Sequence, residues 1–184
     1  TVDYRAQVGA APYPTETDSA TVTVAVPSVV KSRVSISPNV DGNNGRATVG
    51  ETIVYQVVVT LPEGQGSASE LVDRLDDGLT FVSFDTLTAS SGDVTTSPNN
   101  LAAVLAAATG VGTRDGRLDF GTINNANTNN GVSETITLNY TVLVNDVPVI
   151  VHGLNRNNRV DFNTDLTTER VNAPNTQVRE PLVV

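Results

Sequence analysis

Between residues 52 and 61, Ile53, Tyr55, Val57, Val59 and Leu61 occupy every second position. An extended strand, with its two-residue period, puts such residues on one face. Val54 and Val58 lie between them, so the opposite face is also largely apolar, and the pattern predicts a central strand covered on both sides. Segments 21–26, 28–36, 79–84, 117–120, 134–144 and 158–162 read as further strands, each bounded by Gly, Pro, Asn or Asp that supply turns. Many short strands with no interleaved helices predict an all-β, antiparallel sandwich.

Two stretches break the pattern. Ser97-Pro98-Asn99-Asn100 precedes the alanine-rich run 101–109, and Gly110 follows it. A polar cap, good helix formers and a closing glycine predict a short helix near 99–109, inserted between strands and packed over one open end of the sandwich. The Asn-rich run 124–131 predicts a solvent-exposed loop.

Twenty acidic residues against eleven basic ones give a formal net charge of -9, which opposes nucleic acid and an anionic membrane surface as partners. No run reaches the ~18 apolar residues of a membrane span, so no direct membrane insertion is expected, and any export signal or anchor is expected outside these residues. Cysteine is absent, which removes disulfides and thiolate chemistry.

Fragments of the sequence recur. Val2-Asp3-Tyr4-Arg5-Ala6-Gln7-Val8 matches Leu138-Asn139-Tyr140-Thr141-Val142-Leu143-Val144, and Pro27-Ser28-Val29-Val30 matches Pro181-Leu182-Val183-Val184. The matches predict a tandem array: residues 1–27 as terminal or exchanged strands of a preceding repeat, 28–165 as one full repeat, and 166–184 as a linker and first strand toward the next.

The run Gly50-Glu51-Thr52 leading to Tyr55, followed by Asp73-Arg74-Leu75-Asp76-Asp77-Gly78-Leu79-Thr80-Phe81, resembles the immunoglobulin-like repeats of prokaryotic surface proteins. The segments 135–142 and 153–160 fit the same scheme, while 85–116 departs from it. The resemblance implies an immunoglobulin-like β-sandwich of an extracellular, cell-surface protein, with like repeats or subunits as its partners. A related branch, the isopeptide-forming domains of fimbrial proteins, joins a strand lysine to an asparagine near the last strand with help from a buried carboxyl group. By this resemblance the crosslinking residues are Lys31, Asn158 and Asp73, with Asn155 and Asn157 as alternative acceptors. The residues themselves leave a second reading open. Alternation puts Lys31 opposite Val30, Val34 and Ile36, which leaves the amine in solvent.

Calcium is the one metal to weigh. Asp41-Gly42-Asn43-Asn44-Gly45 offers oxygens at alternating positions, and Glu51 could complete a site of Asp41, Asn43 and Glu51, with Asp76, Asp77 and Asp85 as further carboxylates if the loops meet. Arg46 stands where a helical calcium loop wants glycine, so a plain turn is the competing reading. His152, the sole histidine, lies in a loop and reads as a surface residue. No spacing matches a dinucleotide loop or a nucleophile elbow, and no enzyme is expected. The functional expectation is a structural repeat of a surface stalk, fibre or sheath. The rival is an adhesin module whose end loops hold a host or environmental carbohydrate or protein.

Overall fold

The computed structural model of the chain describes residues 25–129 and 131–180. In chain order the elements are β1 (Ser28–Ser37), β2 (Arg46–Thr48), β3 (Thr52–Leu61), β4 (Gly64–Leu75), β5 (Leu79–Ala89), β6 (Val94–Ser97), α1 (Leu101–Ala106), β7 (Asp115–Asn125), β8 (Glu134–Val144), β9 (Asn155–Arg156), β10 (Asn158–Asn163), β11 (Thr168–Asn172) and β12 (Thr176–Arg179). One sheet has the order β1-β3-β8-β5, a second β11-β10-β4-β7-β6, and a small third sheet β2-β12-β9 closes one end. The two large sheets are antiparallel throughout, and only β12 with β2 pairs in parallel. No helix among the described residues is long and apolar enough to cross a membrane.

The inner faces follow from alternation. Ile53, Tyr55, Val57, Val59 and Leu61 of β3 and Ile136, Leu138, Tyr140, Val142 and Val144 of β8 are buried and face Leu71 and Leu75 of β4, Leu118 and Phe120 of β7, and Val160 and Phe162 of β10. Strand β3 is central within its sheet but covered on one side only. Its intervening residues, Val54 and Val58 included, are half-buried, so the expected double cover is corrected: among the described residues, no layer lies outside this sheet.

The insertion is structured. Strand β5 runs on to Ala89, β6 adds an edge to the second sheet, and α1 follows. The Asn100 side chain accepts from the Ala103 amide at 2.9 Å, as an N-cap should. Helix α1 lies against β5 and β7, burying Val104, and thus closes the flank between the two sheets rather than an open end. The Asn-rich run is less of a loop than expected. Asn124 and Asn125 belong to β7, and the buried Asn125 amide donates to the carbonyls of Leu61 and Pro62 at 3.3 and 3.2 Å.

The sandwich also extends past residue 165. Strand β11 pairs with β10 and β12 with β2 and β9, so the described part of 166–184 is built into these sheets rather than serving as a linker. Of the segments expected to belong to a preceding repeat, 2–8 and nearly all of 21–26 lie outside the described residues, and residues 25–27 are not in a strand.

Candidate crosslinking site

Lys31 decides what the interior can do. Its neighbours Val30 and Val34 are 62% and 50% exposed, whereas Lys31 is 4% exposed, so the solvated reading is corrected. The reason is a bulge. The β1–β3 register shifts between Arg33 and Ser35, so Val29, Lys31 and Arg33 point inward before it and Ile36 points inward after it. Counting by twos across the bulge puts Lys31 on the wrong face.

The facing sheet supplies the partners. Strand β4 turns Ser69, Leu71, Asp73 and Leu75 inward, and β10 turns in Asn158, Val160 and Phe162. These strands are neighbours, with Asn158 opposite Leu75 and Val160 opposite Asp73. The Asp73 and Asn158 side chains therefore converge on the amine. Lys31 Nζ donates to Asp73 Oδ2 and to Asn158 Oδ1, and the side chains of Lys31 and Asp73 have no solvent exposure. Asn155 is exposed and Asn157 half-buried, so among the three asparagines it is Asn158 that meets the lysine.

Tyrosine walls the site. The Tyr55 and Tyr140 ring centroids lie 5.7 and 5.5 Å from Nζ, and the two rings stack at 5.8 Å. Tyr140 is also bonded to the cluster: its hydroxyl donates to Asp73 Oδ2 at 2.7 Å and accepts from Asn158 Nδ2 at 2.8 Å. Tyr55 turns its hydroxyl away, to Thr176 Oγ1 at 3.2 Å. The sequence reasoning did not single out Tyr140. The available signal was a hydroxyl on the buried phase of a strand, a group that normally needs a partner inside.

Burial sets the protonation states. Desolvation lowers the Lys31 amine to about 8 against the opposing pull of Asp73. Desolvation likewise raises the Asp73 carboxyl, with the Lys31 charge and hydrogen bond and the Tyr140 hydrogen bond acting against it. Asp73 Oδ1 is buried without a hydrogen-bond partner, an arrangement more costly for a carboxylate than for a neutral acid. Both shifts favour the uncharged pair. Tyr140 is pushed well above its ordinary value, first by burial and then by Asp73, so its phenol keeps its proton.

The oxygens weighed for calcium are used by the backbone. Asp41 Oδ1 accepts from the Asn43 amide at 2.9 Å, Asn43 Oδ1 from Gly45 at 2.7 Å, and the Glu51 carboxylate from Val40 and Thr48 at 2.9 and 2.7 Å. Glu51 thus pins the entry to β3. Asp76 holds the Asn157 amide at 2.7 Å, Asp77 pairs with Arg114, and Asp85 accepts from Thr141 at 2.7 Å, so these carboxylates serve three different places. Among the described residues, no three His, Asp or Glu side chains are grouped to hold a metal ion. His152 is exposed.

No protein-family model matches the chain, and no curated protein sequence matches it. Solved structures do. The pilus backbone protein RrgB of Streptococcus pneumoniae is 22% identical over 76% of this chain and 31% of its own, with a TM-score of 0.50. A structure of BspA (BspA_C_WT) is 14% identical over 83% of this chain and 50% of its own, with a TM-score of 0.51. The collagen-binding subdomain of the Enterococcus faecalis surface protein ACE is 13% identical, covers 85% of this chain and 99% of its own, and has a TM-score of 0.44. The chain spans about a third of the RrgB structure's length. At these identities the likeness concerns the fold alone: an immunoglobulin-like antiparallel β-sandwich, shared with the pilus backbone protein RrgB and with BspA.

Proposed function

We propose that this chain is a structural repeat of an extracellular surface fibre, stalk or sheath, and that its two sheets are joined covalently by an isopeptide bond between Lys31 and Asn158. The observation that carries this reading is the buried meeting of Lys31, Asp73 and Asn158 across the sandwich. A lysine and a carboxylate serving stability alone need no amide held on the same amine, and a buried ion pair is a weak stabiliser beside a hydrophobic replacement.

The chemistry balances without a cofactor. The Lys31 Nζ lone pair attacks Asn158 Cγ while protonated Asp73 polarises the carbonyl. The Nζ–Cγ bond forms, the Cγ–Nδ2 bond breaks with its electron pair leaving on Nδ2, and one proton travels from Nζ to Nδ2. The products are a secondary amide and ammonia. Turnover is single, so the protein is its own substrate and not an enzyme.

The adhesin alternative has less behind it. An apolar recess beside Leu61, Ile123 and Phe162 holds about 90 Å³ and a polar one beside Arg74, Asp76 and Arg159 about 210 Å³, both under the ~300 Å³ at which small-molecule sites begin. Like repeats remain the partners this reading favours.

Intact mass tests the proposal. The purified chain is expected to weigh about 17 Da less than its sequence, the mass of ammonia, with fragment ions joining the peptides of Lys31 and Asn158. Lys31→Met, Asp73→Ala and Asn158→Ala are each expected to restore the full sequence mass. A wild-type chain of full sequence mass sinks the crosslink.

A further inference from the structure

We infer that Tyr140 is a catalytic residue of this crosslinking, carrying the proton from Asp73 to the departing amide nitrogen of Asn158. The inference rests on the isopeptide reading above and adds a step that the lysine, acid and asparagine leave unassigned. Nδ2 is a poor leaving group as an anion and must be protonated before the Cγ–Nδ2 bond breaks. Asp73 Oδ2 is occupied by Lys31 and by the Tyr140 hydroxyl, and the group bonded to Nδ2 is that same hydroxyl.

The phenol is thus a bridge of two hydrogen bonds, 2.7 Å to the acid and 2.8 Å from the leaving nitrogen. In the ground state it donates to Asp73 and accepts from the planar amide. That polarity also turns the amide so that Oδ1, not Nδ2, faces the amine. Once Nζ has added to Cγ, Nδ2 is no longer conjugated and gains a basic lone pair. Asp73 then takes a proton from Nζ and gives one to the Tyr140 oxygen, whose own proton passes to Nδ2. Both hydrogen bonds reverse, Asp73 and Tyr140 are regenerated, and ammonia departs. The surroundings fit a relay rather than a base. Tyr140 is fully buried, stacked on Tyr55 and tilted against Phe81 at 5.2 Å, so the phenol is held in one orientation.

The test is the rate of ammonia loss in the full chain, refolded from an unreacted, denaturant-solubilised state and followed by intact mass. Tyr140→Phe retains the ring and is expected to react ~10²-fold more slowly than wild type, in the range ordinary for loss of a proton-transfer group. Val104→Ala, a core change in α1 away from the site, controls for lowered stability and is expected to react at the wild-type rate. Should Tyr140→Phe fail to fold, wild-type chain carrying fluorotyrosine, a more acidic phenol of nearly the same shape, is expected to change the rate and its pH profile. A purely structural role predicts no such change. Wild-type kinetics in the folded Tyr140→Phe variant, or equal slowing by Val104→Ala, overturns the relay while leaving the crosslink standing. A wild-type chain that never loses ammonia overturns the crosslink itself, and the relay with it.

Discussion

An amine held between two tyrosine rings and a carboxyl group reacts only when one proton is shared correctly between lysine and acid. With both groups protonated, Lys31 has no lone pair to attack with; with both deprotonated, Asp73 cannot polarise the amide. Burial raises the carboxyl above the usual carboxylate range, which sets the lower limit, and lowers the amine to about 8, which sets the upper. Asp161 is the other charge acting on both groups, while Tyr55 and Tyr140 are raised and stay neutral across this range. The first-order rate of the 17 Da loss is therefore expected to be bell-shaped. It should plateau between the raised Asp73 value and about 8 and fall roughly tenfold per pH unit beyond each limit. A rate still climbing past pH 10 would mean that no protonated acid is needed. At this scale the sequence was informative about residue type and silent about phase. The lysine, acid and asparagine could be named by resemblance, but the bulge between Arg33 and Ser35 that turns Lys31 inward leaves no mark in the alternation.

Elements were legible in proportion to their burial. Strands β3 and β8, each buried on one face along their whole length, begin and end at the residues that alternation indicates. Strands β6, β11 and β12 were missed because they are short and rich in Thr, Asn, Gln and Arg. Strands β6 and β11 are edge strands, which carry such residues to discourage further pairing, and the same residues erase the apolar signal. Strand β12, central in its small sheet, buries only Thr176 and Val178, too few positions for a period to show. The start of β4 was hidden similarly by Gly64-Gln65-Gly66-Ser67, where the register with β7 slips and Ala68 takes a positive φ of 48°. Helix α1 was legible from its cap, but its place was not, because local composition does not say which gap a helix fills. With six residues it has little stability of its own, so its one fully buried side chain should hold it. Val104→Ala is expected to cost about 2 kcal/mol through the lost contacts and the cavity left between β5 and β7. That corresponds to a melting temperature lower by about 4–8 °C, readable by calorimetry, with the crosslink still formed. A change under 1 °C would mean the flank is closed by the sheets alone.

Across the whole molecule, the two residues proposed to crosslink matter for where they stand in the chain. Lys31 lies in the first described strand and Asn158 in the tenth, 127 positions apart, so a bond between them encloses most of the sandwich in one covalent loop. In the unfolded state a loop of that length removes chain entropy worth about 5 kcal/mol on the model used for other crosslinks. The mechanical consequence is larger. With the proposed bond in place, force entering through the residues before Lys31 and leaving through those after Asn158 would pass along it and bypass every strand from β2 to β9. Only the segments outside the loop, β11 and β12 among them, can be pulled free. In single-molecule stretching through the two ends, wild-type repeats are therefore expected to lack the long extension that Lys31→Met repeats show. The missing length is the enclosed 127 positions, about 430 Å at the reach of an extended chain. If wild type and variant lengthen equally, the load is carried by hydrogen bonds and packing, and the sheets are not covalently joined. If wild type stays short under forces that unravel the variant, the buried lysine makes each repeat a nearly inextensible link, the property a surface fibre under load requires.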